Sequence, residues 1–403
     1  MQPPPSSPPL RQRAARILAG LLIAFFFWAI WQSALLLPAV GTDNVLVDFD
    51  AFYITGQLAW EGRAAEAHDT AVMAAIQHDL VGHQGFMPWT YPPQFDLLTF
   101  AFPLAPRGIA YGLFTALTLA FYLWALARLA GVQLPAVLLA LAPPIYVSAT
   151  IGQNSFLTGG LMALFCLLTL RGRGAAGWAL GVLVIKPHLG VGLGVHALAS
   201  RRWGVLVRAV AVAGVSSALA TLVFGPGIWR AFLDGVDQAG AALGTEFYPL
   251  FRMTSVYAAM HTVGAPPSVA LALQLVLAAL ACIAVAFAVL RGAPSRQALA
   301  VACFASALVS PYLYDYDMTI AGAGLALIAA DLRARASTVE QILLLALIWV
   351  AGGWGMIHAL ASAGLPWEER AANARATVSF GAFAYLLLLA LAWRILRRPA
   401  TVR

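Results

Sequence analysis

The chain has 403 residues, of which 61% are hydrophobic and only 10% charged, and its mean hydropathy is +0.82. Soluble globular domains are about 25% charged, so this composition excludes one or two water-soluble domains of the same total length. It also excludes a transmembrane β-barrel, because barrel strands are ~10-residue segments of alternating polarity, whereas the apolar runs here do not alternate. The composition predicts an all-α polytopic membrane protein.

The N-terminal segment is polar and is followed by a long apolar run. Residues 1–13 are rich in Pro and Ser and contain Arg11 and Arg13, which predicts a disordered cytoplasmic N-terminus. The apolar run over about 14–37 exceeds the ~7–15-residue hydrophobic core of a secretory signal peptide. We therefore expect an uncleaved first transmembrane helix.

The later apolar runs, together with the first, predict about twelve transmembrane helices. They form a single domain over residues 14–398, which leaves a cytoplasmic tail over 399–403. Two neighbouring runs are shorter than the ~20 residues of a full span and meet at Lys186-Pro187, so we expect a broken helical hairpin with its tip in or near the membrane. The later runs lie at about 108–128, 135–150, 156–170, 174–186, 188–200, 204–224, 267–290, 297–311, 318–332, 338–359 and 376–396.

The distribution of charge predicts the orientation. Of the 24 basic residues, 23 are arginine and the remaining one is Lys186. With the N-terminus inside, 17 arginines fall on one side of the predicted layout and six on the other, whereas 15 of the 17 acidic residues fall on that second side. By the positive-inside rule both termini are cytoplasmic. The composition suggests a GC-rich bacterium, so we expect a bacterial inner (plasma) membrane. This sorting accounts for the net charge of +7 without a nucleic-acid partner.

Chemistry is expected on the extracytoplasmic side. The two largest loops there are 38–107, in which we expect short interfacial helices, and 225–266. The cytoplasmic loops are too short for a nucleotide-binding domain, and the chain has neither a Walker A motif nor a dinucleotide-binding glycine fingerprint. The three cysteines lie inside apolar runs and the histidines are scattered, so neither a metal nor another cofactor is expected.

Two polar clusters belong to the first large loop. Asp48 and Asp50 follow the first apolar run, and in a helix Asp48 would share a face with Phe52 at i, i+4. Such a stretch could lie at the membrane interface and hold a carboxylate at headgroup depth, although an acidic loop or a helix cap would have the same sequence. Tyr91, before two prolines, could bind a substrate or could belong to an interfacial aromatic belt.

Two more clusters lie at helix ends. Gln153 and Asn154 form a polar tip that could bind a ligand or could serve as a turn and helix cap. Lys186, with His188 beside it, is an ionisable group within an apolar hairpin, which is typical of a functional site. Its compact ammonium suits a lipid-linked phosphate, although a lysine at a helix end can also extend toward the membrane interface.

A fifth cluster lies between two apolar runs near residue 315. Tyr314, Asp315 and Asp317 could bind a polyol through hydrogen bonds and contacts with aromatic rings. The alternative is an interfacial tyrosine belt with an aspartate that caps the next helix.

The order of these clusters resembles glycosyltransferase family 87, in the GT-C superfamily of integral-membrane enzymes that includes polyprenyl-phosphate-mannose-dependent α-1,2-mannosyltransferases. The resemblance covers roughly residues 15–330, and it implies a GT-C-like helical bundle. The matching features are Asp48-Phe49 with Phe52-Tyr53, Trp60-Glu61-Gly62, Tyr91-Pro92-Pro93, Gly152-Gln153-Asn154, Lys186-Pro187, and Ser310-Pro311 followed by Tyr314-Asp315-Tyr316-Asp317.

What the resemblance implies is an inverting transfer of a hexose, with mannose expected, from a polyprenyl-phosphate sugar to a hydroxyl of an envelope glycolipid or glycan. Asp48 is implied as general base, with Asp50 as the rival, and Lys186 with His188 would stabilise the departing phosphate. The donor headgroup would lie near Gln153 and Asn154. Membrane lipids are the other expected partners.

Two other classes of protein fit parts of the pattern. Broken helices with polar tips are also typical of transporters and lipid flippases. However, transporters place charged groups near the midplane and contain inverted repeats, whereas the acidic residues here are concentrated in the predicted outer loops. A non-catalytic assembly factor is the third possibility, and it would not require Asp48.

Overall fold

The structure is a computed structural model, and it describes residues 17, 20, 21, 24, 28, 46–81, 86–245, 248–362 and 365–399. Over these residues the chain is helical, without a named strand, and it has one isolated antiparallel bridge between Met253 and Tyr314. The α-helices are α1 Asp48–Trp60, α2 Thr70–Val81, α3 Pro93–Thr99, α4 Arg107–Ala130, α5 Leu134–Ala140, α6 Ala142–Ile151, α7 Ser155–Leu170, α8 Ala176–Val182, α9 Val191–Ala199, α10 Trp203–Phe224, α11 Gly227–Ala242, α12 Val256–Thr262, α13 Pro267–Leu290, α14 Ser295–Ser306, α15 Ala321–Arg335, α16 Thr338–Ala361, α17 Trp367–Ala376 and α18 Gly381–Leu396.

The membrane character rests on four of the described helices, which are long and apolar enough to cross a bilayer. Three shorter apolar helices do not reach the ~20 residues that a full span needs. The predicted count of about twelve spans is therefore not confirmed, although the all-helical class is. The four long helices are Arg107–Ala140, Trp203–Phe224, Pro267–Leu290 and Thr338–Ala359, and the shorter ones are Ser155–Leu170, Ala176–Ile185 and Gly381–Leu396.

Parts of the sequence prediction fall largely outside the described residues. Only five residues of the predicted first helix, 14–37, are described, and all five are helical. The predicted N-terminal tail over 1–13 and residues 400–403 lie outside the described residues. Within the predicted loop 38–107 the structure has α1, α2 and α3.

The centre of the bundle is α7, which is buried along most of its length. Its two glycines allow a close approach of α4: the ring of Phe121 packs against Gly160 and that of Tyr122 against Gly159. The hydroxyl of Tyr122 donates to the carbonyl oxygen of Thr319 at 2.6 Å. One buried tyrosine thereby joins α4 and α7 to the segment that follows Asp317.

An aromatic cluster fixes α1 against the bundle. The buried ring of Phe49 lies 5.9 Å from that of Phe114 on α4, and the buried ring of Phe52 lies 5.2 Å from that of Phe95 on α3. Aromatic pairs at such centroid distances add to the free energy gained by burying their area. Asp48, at the start of α1, therefore has a rigid support.

The hairpin is broken where the sequence predicts it. After α8 the chain passes through a 3₁₀ turn to Lys186, whose φ and ψ of −148° and 69° are not helical, and a second 3₁₀ turn begins at Pro187. Proline has no backbone N–H to continue a helix. The break places Lys186 between two short helical segments instead of on the side of one continuous helix.

Candidate active site

A cavity of about 540 Å³ lies where five segments that are distant in sequence meet. They are the start of α1, the extended chain before α3, the turn between α6 and α7, the broken hairpin and the segment around residue 314. Further walls come from α11, through Phe232 and Val236, and from the segment after it, through Tyr248 and Arg252. Seven of the ten sequence-predicted site residues line the cavity: Asp48, Tyr91, Gln153, Lys186, His188, Tyr314 and Asp317.

Asp48 is a carboxylate in the cavity wall that forms no ion pair within the described residues. Among these residues, no cationic side chain lies within salt-bridge distance of it. Its Oδ2 accepts a hydrogen bond of 2.7 Å from Nε2 of Gln153. The Gln153 amide can point only this way, because its Oε1 accepts from the hydroxyl of Tyr91 and from the backbone N–H of Asn154, each at 2.8 Å. The site thus holds a carboxylate in one orientation and leaves it accessible from the cavity.

Burial raises the pKa of Asp48 above the ordinary aspartate value of 3.8, because the protein around it solvates the charged form less well than water does. The positive charge of Arg252 and the hydrogen bond from Gln153 oppose this effect, as does Lys186 more weakly. A carboxylate with a raised pKa is a stronger base than a solvent-exposed one, which suits proton abstraction from a hydroxyl.

The turn that carries Gln153 depends on glycine at position 152. Gly152 ends α6 with φ = +65°, a left-handed conformation that residues with a Cβ rarely adopt. A Cβ there would also meet the ring of Tyr111 and the Cβ of Phe49 at 2.6–2.7 Å. The turn is therefore packed directly against α1, and this packing brings Gln153 to Asp48.

We expect Gly152→Ala to destabilise the folded protein by about 1–3 kcal/mol, the usual cost of crowding a packed site. The added methyl has to displace the ring of Tyr111 or the backbone of α1. Thermal unfolding of the detergent-purified variant measures the effect, with Gly112→Ala on α4, where a Cβ would meet nothing within 4 Å, as the matched control. Equal unfolding temperatures for the two variants would contradict this account.

Lys186 forms a buried ion pair across the cavity wall. Its Nζ lies 2.6 Å from Oδ1 of Asp317, and the lysine is only 9% exposed. The same ammonium lies 5.3 Å from the ring centroid of Tyr316 and 5.9 Å from that of Tyr91, within the range of cation–π attraction. One of its three donors is used by Asp317, so donors remain for a ligand in the cavity.

Arg252 supplies a second cation, which the sequence analysis did not single out as a site residue. Its Nε and Nη2 lie 3.2 and 3.0 Å from the two carboxylate oxygens of Asp315, a bidentate pair. The antiparallel bridge between Met253 and Tyr314 brings the two segments side by side. Gly355 on α16 makes room for the pair, because a Cβ there would meet both Oδ2 of Asp315 and Cγ of Arg252.

Three predicted residues do not line the cavity. Asp315 is buried behind Arg252, and Asn154 is fully buried next to Gln153. Asp50 is buried below the start of α1, where its Oδ2 accepts from the backbone N–H of Val47 at 2.8 Å and its Oδ1 lies 3.7 Å from Arg107. The carboxylate of Asp50 thus caps the helix that presents Asp48.

A buried polar group beneath the cavity wall was also missed by the sequence analysis. Oδ1 of Asp96 accepts from the indole N–H of Trp89 at 2.9 Å, and Oδ2 of the same carboxylate lies 3.4 Å from Nε2 of His68. Trp89 lines the cavity, so these two contacts hold its ring in place. The described residues include no group of three or more His, Cys, Asp or Glu side chains placed to hold a metal.

The comparisons with known proteins give one match. The sequence model of glycosyltransferase family 87 matches residues 89–311, more than half of the chain. No curated protein and no solved structure matches. The matched range includes Tyr91, Gln153, Lys186 and Arg252 of the cavity described above. The chain belongs to glycosyltransferase family 87 and is a glycosyltransferase.

Proposed function

We propose that the protein transfers a hexose, with mannose as the first candidate, from a polyprenyl-phosphate donor to a hydroxyl of an envelope glycolipid or glycan. The observation that supports this most strongly is that Asp48, Lys186 and Arg252 line the same cavity. A base for an acceptor hydroxyl and two cations for a phosphate are thereby available in one place. Membership of a glycosyltransferase family favours this function over a transporter or flippase.

The reaction is a displacement at the anomeric carbon with inversion. Asp48 accepts the proton of the acceptor hydroxyl while that oxygen forms a bond to the anomeric carbon. The bond from that carbon to the phosphate oxygen breaks, and negative charge grows on the departing polyprenyl phosphate. Lys186 and Arg252 stabilise this charge, and Tyr314 with Asp317 orients sugar hydroxyls. Holding the two substrates in line lowers the barrier further.

We propose that the cavity faces the extracytoplasmic side of a bacterial inner membrane. The support is the sorting of arginine and acidic residues along the sequence, since Asp48, Asp315 and Asp317 belong to segments predicted outside, whereas most arginines belong to segments predicted inside. A cysteine introduced at exposed Glu61, in a variant whose native cysteines are replaced by alanine, should react with a membrane-impermeant maleimide in intact spheroplasts. Reaction only after membrane disruption would place the site on the cytoplasmic side.

The function is tested by incubating the purified protein with a panel of polyprenyl-phosphate sugars and a membrane glycan extract. We expect a product that is one hexose heavier than the acceptor, identified by mass spectrometry, with released polyprenyl phosphate in equal amount. Nuclear magnetic resonance of the product shows whether the anomeric centre is inverted. Uptake of the sugar into liposomes without any transfer would instead support a transporter.

The pH dependence should identify the base. Because the pKa of Asp48 is raised, its ionised form is lost as pH falls through a value above 3.8, and kcat/KM should fall there. Gln153→Leu removes a hydrogen bond that stabilises the ionised form, so its acid limb should move upward by about 1–2 pH units. An unchanged acid limb in a folded Gln153→Leu variant would show that a group other than Asp48 titrates.

A further inference from the structure

A second cavity, of about 150 Å³, lies at the opposite end of the bundle from the candidate active site. Gln153 and Asn154 lie just before the start of α7, whereas Thr169, near the end of the same helix, lines the second cavity. Fourteen residues separate Ser155 from Thr169, which corresponds to about 21 Å along a helix. The two cavities are therefore separate.

The lining of the second cavity consists of five polar and four apolar residues, and none of these nine is acidic. Its polar groups are donors or neutral: the guanidinium of Arg202, the hydroxyls of Thr169, Ser200 and Ser295, and the imidazole of His196. Ser295 is the first residue of α14, and the positive end of a helix dipole attracts anions. Positive charge without a carboxylate favours an anion over a metal ion or a sugar.

Two buried groups in this cavity have no hydrogen-bond partner among the described residues. They are Nδ1 of His196 and Oγ1 of Thr169, on residues that are 4% and 3% exposed. Buried polar atoms are nearly always paired, so these two atoms indicate an occupant that the protein alone does not provide. Both atoms belong to residues that line the cavity.

The environment and size of the cavity narrow the ligand to a small oxyanion. A volume of about 150 Å³ has room for only a small ligand, since one water needs about 10–15 Å³ of such space. Nη1 of Arg202 donates to the carbonyl oxygen of Thr169 at 3.2 Å, which leaves its other N–H groups for a ligand. A guanidinium, hydroxyls and a helix N-terminus together are the groups that bind phosphate in proteins.

We propose that this second cavity binds a phosphate group, either free or as the phosphodiester of an anionic phospholipid headgroup, through Arg202, His196, Thr169, Ser200 and the start of α14. The cavity belongs to the face that the arginine distribution predicts to be cytoplasmic, where anionic lipids attract basic residues. Phosphate binding at this site does not depend on the identity of the sugar donor. A negative binding result here is therefore distinguishable from a negative result for the proposed transfer reaction.

The test measures thermal unfolding of the delipidated full-length protein in detergent, with three additions in parallel: inorganic phosphate, dioctanoyl phosphatidylglycerol and dioctanoylglycerol. Stabilisation by phosphate alone identifies a free-phosphate site, and stabilisation by phosphatidylglycerol but not by phosphate identifies a headgroup site. Dioctanoylglycerol carries no phosphate and should leave the unfolding temperature unchanged. Equal stabilisation by all three, or by none, would overturn the proposal.

Variants decide whether binding occurs at this cavity. Arg202→Gln should weaken the stabilising ligand by about 10–100-fold, the usual effect of losing a charge-assisted hydrogen bond. Arg171→Gln is the matched control, because Arg171 is an exposed residue at the end of the same α7 and does not line the cavity. Equal affinities in the two variants would overturn the proposal.

Thr169→Val provides an independent measurement should Arg202→Gln fail to fold. It replaces a buried hydroxyl that has no protein partner with a methyl group of similar size. We expect this variant to unfold at a higher temperature than the wild type without ligand and to show a smaller ligand-induced shift. A ligand-induced shift equal to that of the wild type would count against the site.

Discussion

Replacing Asp48 with asparagine should lower the rate of sugar transfer by about 10²–10⁴-fold, the usual contribution of a general base. The side chain keeps its size, and the amide oxygen of asparagine can still accept the hydrogen bond that Nε2 of Gln153 donates to Asp48. The fold should therefore persist while the ability to accept the acceptor's proton is lost. Transfer of radiolabelled hexose to the acceptor measures the rate, and the unfolding temperature measures the fold.

Asp50→Asn is the matched control because it makes the same chemical change two residues away. Asp50 accepts from the backbone N–H of Val47 and does not line the cavity. We expect transfer within a few-fold of the wild type and a loss of about 0.5–2 kcal/mol of stability, as for other helix-capping residues. If the Asp48→Asn enzyme is active and the Asp50→Asn enzyme is folded but inactive, the catalytic base is Asp50 and not Asp48.

Replacing Lys186 with methionine should cause the second largest loss, and it should affect both folding and chemistry. The substitution leaves the carboxylate of Asp317 buried without its partner at 2.6 Å. Breaking a buried pair on one side costs about 3–5 kcal/mol, so the single variant should unfold at a markedly lower temperature. Its transfer activity alone cannot separate instability from a lost contact with the donor phosphate.

The double variant Lys186→Met/Asp317→Asn separates these two effects. It removes both charges, so its unfolding temperature should return close to that of the wild type. Transfer should nevertheless stay about 10²–10³-fold below the wild type, because one stabilising charge on the leaving phosphate is missing. The amide that Asp317→Asn introduces can still form a hydrogen bond with a sugar hydroxyl, so the loss reports mainly on Lys186. The kinetic parameters for the donor should change far more than the KM of the acceptor. Wild-type transfer by the folded double variant would assign Lys186 a structural role only.

Much of the helix layout could be predicted because its signals are local. The break at Lys186-Pro187 follows from a proline that cannot donate a backbone hydrogen bond. The left-handed turn at Gly152 follows from a glycine between two apolar runs. The number of complete spans could not be predicted as well, because apolar helices such as Ala176–Val182 are too short for the membrane and are stabilised by packing against other helices.

The residues of the candidate site were predicted from clusters, but most of their pairings were not. Lys186 and Asp317 are 131 residues apart, and Arg252 and Asp315 are 63 apart. No local pattern indicates which acid meets which base. Arg252 had one available signal, since it is one of few arginines in the acidic outer loops. The role of Asp50 as a helix cap is visible only in the geometry around Val47.

The ion pairs at the cavity limit how the protein can be shortened. Lys186 and Arg252 fall within residues 89–311, the range that matches the family, but both of their carboxylate partners follow that range. Asp48 precedes it. An excised fragment restricted to the matched range would keep two cations without their counter-ions and would lose the base. Crystallisation or expression trials should therefore retain the whole helical bundle as far as α18, whose Tyr385 donates to the carbonyl oxygen of Phe304. A truncated clone that purifies poorly would say nothing about the intact enzyme.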